Sequence, residues 1–249
     1  MLQIHQYWMA EVVDVVNGET CTDLADFPVS NYGALGANLD GTTPIVCGGR
    51  YDSTYYQACY KLTNGGWQEF ASMNEKRGYA AGIMFKNKFH VFGGYDGSSR
   101  LQTSEIISID GAVEYGPELP EAVNGGDGIM VFHYAITSIN STVSLLSGGC
   151  TSATCSSPLT RFFNHETQAF SSGPSLLEGR NRHGSATIVD KVTKAKIPIV
   201  TGGYGNAGRL DSTELLINGM WQSGTIQCPK IATPVMKPGG IALFFSLTH

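Results

Sequence analysis

Apolar positions along this chain come in short runs that end in glycine, and one run sets the pattern for the rest. Lys88-Phe-His-Val-Phe92 ends in Gly93-Gly94, a polar loop follows, and Glu105 opens a second apolar run, Ile106 to Ile109. The same order returns at Ile197 to Thr201, Gly202-Gly203, a polar loop, Glu214 and Leu215 to Ile217. Tyr95 and Tyr204, Arg100 and Arg209, and Glu105 and Glu214 keep identical offsets from their glycine pairs. Weaker copies stand at Cys47-Gly48-Gly49 and Ser147-Gly148-Gly149, so the pairs are spaced 45, 55 and 54 residues apart. A fixed period of this size marks a repeat architecture. A strand that must turn sharply out of a crowded sheet favours residues without a Cβ, able to take positive φ or a close backbone approach.

The pattern predicts four units, about 30–77, 78–124, 125–181 and 182–235, each of four short strands. Opening strands are rich in small residues, as in Gly33-Ala-Leu-Gly-Ala37, Gly78-Tyr-Ala-Ala-Gly82 and Gly184-Ser-Ala-Thr187. Second strands end at the glycine pair, third strands begin near Glu105 or Glu214, and fourth strands begin near Trp67, Val113, Phe170 or Trp221. Small first-strand residues suit strands converging on an axis, and fourth-strand aromatics suit packing against the next sheet. Glu11 to Leu24, with an Asn17-Gly18 turn, reads as a half unit over 11–28, and Gly239 to Phe245 reads as an opening strand. No stretch has helical periodicity of normal length. A radial array of four-stranded sheets, an all-β propeller filling 1–249 as a single domain, is the economical architecture.

The glycine pairs, the Tyr60 to Trp67 spacing and Arg182-His183-Gly184 together resemble kelch repeats over most of residues 11–245. Cys21 and Val113 stand where tryptophan is usual, and the third unit is degenerate. In kelch propellers the outermost strands of one blade usually come from both chain ends. The resemblance therefore implies either a five-bladed ring, closed by 11–28 with 239–245, or a fragment of a six-bladed one.

Composition narrows the partners. Of 249 residues 42% are hydrophobic and 15% charged, which indicates a folded chain. A net charge of −5 offers no basic field for nucleic acid or anionic lipid, and no apolar stretch is long enough to insert in a membrane. Met1 to Ala10 has no leader-like pattern. A monomer is expected.

Six cysteines bear on compartment: Cys21, Cys47, Cys59, Cys150, Cys155 and Cys228. Cys47 and Cys59 flank a hairpin in positions that can face each other, and Cys150 and Cys155 bracket a four-residue loop. Two disulfides are one reading and six buried thiols the other. Zinc is disfavoured by the absence of CxxC spacing. Asn140-Ser141-Thr142 is a glycosylation sequon and favours an extracellular location over a cytoplasmic one.

Catalytic signatures are lacking. His5, His90, His133, His165, His183 and His249 are scattered, with His90 read as a core residue and His183 as structural. Glu105 and Glu214 recur at one repeat position, which suits a structural pairing with Arg100 and Arg209 better than acid catalysis. No phosphate loop or nucleophile elbow is present, and no cofactor is expected.

A binding surface is what remains. Alternating strand direction brings the second-to-third loops and the inter-unit links to one face. The loops carry Arg50, Tyr51, Tyr55, Tyr56, Tyr95, Arg100, Tyr204 and Arg209; the links add Glu75, Lys76, Arg77, Glu121, Arg180 and Arg182. Tyrosine and arginine are frequent interface anchors. Tyr51, Tyr55 and Tyr56 lie outside the repeated offsets and so are the stronger binding candidates. The expectation is a non-catalytic protein-interaction module with an unidentified protein partner. Alternatives are a galactose-oxidase-like copper enzyme or a carbohydrate-acting enzyme, which metal analysis separates from the first reading, and a substrate adaptor of an intracellular ubiquitin ligase.

Overall fold

The computed structural model describes residues 25–120, 135–150, 155–190 and 192–224, with the backbone alone at 12–14, 19–21 and 134. Gly239 to Phe245, Glu121, Cys228, His5, His133, His249, the Asn17-Gly18 turn and the Cys21 side chain lie outside the described residues. Val12–Asp14 pairs antiparallel with Glu19–Cys21, with Val13 opposite Thr20.

Four antiparallel sheets of four strands follow, each a simple meander in chain order. Sheet 1 comprises Leu35–Leu39, Thr43–Cys47, Ala58–Thr63 and Gly66–Ser72. Sheet 2 comprises Ala81–Phe85, Lys88–Phe92, Ser104–Ser108 and Val113–Tyr115. Sheet 3, in the degenerate unit, still has four strands: Tyr134–Ser138, Val143–Gly148, Thr160–Asn164 and Ala169–Ser172. Sheet 4 comprises Gly184–Val189, Lys196–Thr201, Thr213–Ile217 and Met220–Gly224. The first strands lie side by side, sheet 1 against 2, 2 against 3 and 3 against 4. Within sheet 2 the first strand also makes room for the core, since a Cβ at Gly82 would press on the ring of Phe89 in the second strand.

The core lies between neighbouring sheets. Leu35, Ile45, Met73, Phe89, Val91 and Ile107 join sheets 1 and 2. Phe92, Leu146 and Phe163 join sheets 2 and 3, and Leu145, Val200 and Trp221 join sheets 3 and 4. At Val113, Phe170 and Trp221 the fourth strand packs back against the preceding sheet, contrary to the expectation from sequence, whereas Phe70 and Ala71 of sheet 1 face sheet 2. Phe170 of sheet 3 lies 6.0 Å from the Phe92 ring of sheet 2, and the Trp221 indole N–H donates to Pro174 C=O, before sheet 4. Register explains the direction. Val113 pairs with Ile107, whose side chain is buried toward sheet 1, and cross-strand partners share a face.

All four glycine pairs adopt positive φ, between 57° and 100°. At Gly48 and Gly148 a Cβ would overlap the carbonyl oxygens of Arg77 and Arg180, in the links to the following sheets. The pair therefore turns the strand and also lets the next link cross against it.

Candidate functional site

The links cross at a repeated staple. Arg77 C=O accepts from Gly49 N–H of sheet 1 at 2.9 Å, while its side chain enters sheet 2. There Nη1 donates to Gly93 C=O at 2.6 Å, and Nη2 meets Glu105 Oε1 at 2.6 Å. Glu105 also accepts from the Asn74 and Glu75 backbone N–H groups, so both carboxylate oxygens are occupied. Arg180 repeats this: its C=O accepts from Gly149 N–H of sheet 3, and its side chain binds Gly202 C=O and Glu214 at 2.7 Å in sheet 4. Glu214 accepts from Leu177 and Glu178 N–H. Sheet 1 has a smaller version, in which Asn31 donates to Gly48 C=O and Tyr60 stands in register where Glu105 stands in sheet 2.

This geometry corrects two expectations. Glu105 and Glu214 pair with Arg77 and Arg180, not with Arg100 and Arg209. Arg180 is fully buried and held by these partners, so it is unavailable as an exposed binding residue.

Above the staples the second-to-third loops form small ribbons. Arg50–Tyr51 pairs with Thr54–Tyr55, Tyr95 bridges Arg100, and Tyr204–Gly205 pairs with Gly208–Arg209. Tyr55 therefore occupies the repeat position of Arg100 and Arg209, and Arg50 that of Tyr95 and Tyr204. The pair is inverted in sheet 1 but its chemistry is kept. Arg50 Nη1 donates to the Tyr55 hydroxyl at 3.0 Å, and Arg209 Nε donates to the Tyr204 hydroxyl at 3.2 Å. Tyr55, expected to lie outside the repeat, belongs to it and is buried, packed edge-on against Tyr95 at 5.5 Å.

Two tyrosines complete the face. Arg50 lies 5.1 Å from the ring centroids of both Tyr32 and Tyr55. Tyr79, with φ of 59°, stands edge-on to Tyr32 at 6.2 Å. Burial pushes its phenol up to about 12, with Arg50 and Arg182 acting in the opposite direction. Tyr79 thus lies within the fields of arginines from sheet 1 and from the link to sheet 4. Arg182 sits over Tyr204 at 5.7 Å, and Arg209 over the same ring at 5.9 Å. Tyr51 and Arg209 are exposed, whereas Arg50, Tyr56, Tyr95, Arg100, Arg182 and Tyr204 are half-buried. Tyr32 and Tyr79 were absent from the sequence-derived candidates. Their signal is their place immediately before the opening strands, where Tyr79 matches Arg182 in position and in backbone conformation.

The cysteine positions agree with the hairpin reading. Cys47 and Cys59 face each other in register with Cα atoms 4.0 Å apart and lie at disulfide distance. Gly48 N–H donates to Ala58 C=O, so the adjacent 47/59 pair is of the non-hydrogen-bonded type, where strands approach most closely. Cys150 and Cys155 also lie at disulfide distance, with Cα atoms 3.8 Å apart. Asn140 is exposed between the first two strands of sheet 3.

His183 is buried, its Nε2 2.9 Å from the Ser147 hydroxyl, in keeping with a structural role. His90 is buried as well, but it meets a second histidine across two sheets. His165 Nδ1 lies 3.4 Å from His90 Nδ1, its Nε2 is 2.7 Å from the Ser144 hydroxyl, and its ring stacks on Phe85 at 4.4 Å. Burial pulls both imidazoles down to about 4, and His165 and Lys88 depress His90 further while Glu114 opposes them. Among the described residues no three His, Cys, Asp or Glu side chains converge in a way that could hold a metal ion. No protein-family model matches the chain, and no curated protein matches it.

Proposed function

We propose that this chain is a kelch-type propeller whose loop end is a protein-interaction face without catalytic machinery. The observation that carries this reading is the tyrosine–arginine cluster, in which Arg50 lies against Tyr32 and Tyr55, Tyr79 stands edge-on to Tyr32, and Arg182 and Arg209 sit over Tyr204. Amphipathic aromatics with bound guanidinium groups suit recognition of a protein surface, since little side-chain freedom remains to be lost on contact. Tyr51 and Arg209 are the exposed points from which a partner is first met. The paired cysteines support an extracellular setting for that encounter.

Site-specific photo-crosslinking in the cells that make the protein tests the reading. A photoreactive residue at Tyr51 or Arg209 should yield a discrete protein adduct, and one at Val192, at the opposite end, should not. Adducts from Val192 alone, or from none of the three, contradict the assignment.

A further inference from the structure

We propose that Asn140 is an N-glycosylation site that carries its glycan at the hairpin end of the sheets, away from the loop face. The sequon Asn140-Ser141-Thr142 forms the turn between Tyr134–Ser138 and Val143–Gly148, and Asn140 and Ser141 are exposed. The Asn140 side chain is already oriented. Its Oδ1 accepts from Thr142 N–H at 2.9 Å, the Thr142 hydroxyl at 3.3 Å and Val143 N–H at 2.8 Å. Every one of these bonds uses the amide oxygen of the exposed Asn140, and Nδ2 makes no hydrogen bond among the described residues.

Nδ2 is the atom that reacts. It forms a bond to the anomeric carbon of an oligosaccharide carried on a lipid pyrophosphate. The bond from that carbon to the phosphate oxygen breaks, and its electron pair leaves with the lipid pyrophosphate. Nδ2 gives up one proton, and nothing is oxidised or reduced.

A second, independent observation agrees. Cys47 with Cys59 and Cys150 with Cys155 are placed for disulfides, which persist in the oxidising secretory route where this transfer takes place. The position also suits a glycan. Strand alternation puts the 139–142 turn at the end opposite the Gly148-Gly149 loop, so an attached sugar leaves the tyrosine–arginine cluster uncovered. Beside it lies the equivalent tip of sheet 4, where Val189 is 55% and Val192 89% exposed. Thr137 and Thr187 hydroxyls at 2.9 Å hold the two first strands together there. A hydrophilic glycan at Asn140 stands next to these two exposed valines, which lie on an otherwise charged tip with Asp190, Lys194 and Lys196.

The test uses the full chain purified from cells that make it naturally, with peptide mapping before and after peptide N-glycanase. The expected result is conversion of residue 140 to aspartate only after enzyme treatment. Asn140→Asp and Thr142→Ala should abolish the glycan and Thr142→Ser should keep it. Asn140→Asp retains an acceptor oxygen for the turn, which separates loss of the glycan from loss of folding, and it should leave crosslinking from Tyr51 unchanged. An unmodified Asn140 in the natural protein overturns the proposal, whether or not Cys47 and Cys59 are linked.

Discussion

Arg77 and Glu105 meet at 2.6 Å with neither side chain exposed to solvent, and through them the link leaving sheet 1 is fixed to the second and third strands of sheet 2. Burying two charges is costly, and hydrogen bonds from Arg77 to Gly93 and Thr103 and from Asn74 and Glu75 to Glu105 offset the cost, although Arg77 Nε is buried without a partner among the described residues. Removing Glu105 leaves the buried Arg77 with only the partly exposed Glu75 as counter-charge, at 3.0 Å. Glu105→Gln should therefore destabilise the protein by about 3–5 kcal/mol, read from urea unfolding. Pairing Arg77→Met with Glu105→Leu should cost less than the two single changes together. Strict additivity would mean that the two residues do not act as a unit.

The two cysteine pairs differ in how much unfolded chain they constrain. Sequence separations of 12 and 5 give loop-closure contributions of about 3 kcal/mol for Cys47–Cys59 and about 2 kcal/mol for Cys150–Cys155. Cys47→Ser should lower the unfolding midpoint more than Cys150→Ser does under oxidising conditions. With reductant present the unsubstituted protein, losing both links, should fall below either single variant measured under oxidising conditions. Equal midpoints with and without reductant would show that the cysteines are not bonded.

His90 and His165 make stability fall on acidification. Their folded-state values near 4 lie below the usual 6.5, so the unfolded chain takes up protons first as the pH drops. The contribution is complete above 6.5 and declines toward 4, by roughly 1 kcal/mol per histidine per pH unit below 6. Between pH 6.5 and 5 most carboxylates stay ionised, which isolates the imidazoles. Unfolding curves across this window should show the slope, and His165→Gln, which keeps a polar partner for Ser144, should flatten it. An unchanged slope in that variant would place the titration elsewhere.

The Tyr79 phenol should ionise near 12, well above an exposed tyrosine. Its absence from Tyr79→Phe should appear as the loss of a late step in ultraviolet titration. Loss of a step near 10 instead would mean that the residue is open to solvent and outside the packed cluster.

The repeat itself was legible because glycine pairs, small first-strand residues and fourth-strand apolar residues report backbone geometry at fixed offsets. The all-strand meander and the Cys47–Cys59 facing pair follow from that same register. Side-chain partnerships were less accessible. Glu105 and Glu214 stood out by recurrence, yet their partners precede the opening strand of the same sheet, 28 and 34 residues upstream. The nearer Arg100 and Arg209 attracted the assignment instead. The inverted Arg50–Tyr55 pair hid its membership of the repeat, because matching residue types at fixed offsets fails when two partners exchange places. His90 and His165 are 75 residues apart and meet only through packing of two sheets, which no local pattern encodes.

The most direct measurement is hydrogen–deuterium exchange of the full chain, free and bound to the partner captured from Tyr51. Protection confined to the loop end, at residues 49–57, 94–103 and 203–212, is the outcome expected of a Tyr79-centred interaction face. Protection confined to the opposite hairpin tips, at 39–43, 86–88 and 190–196, would contradict it.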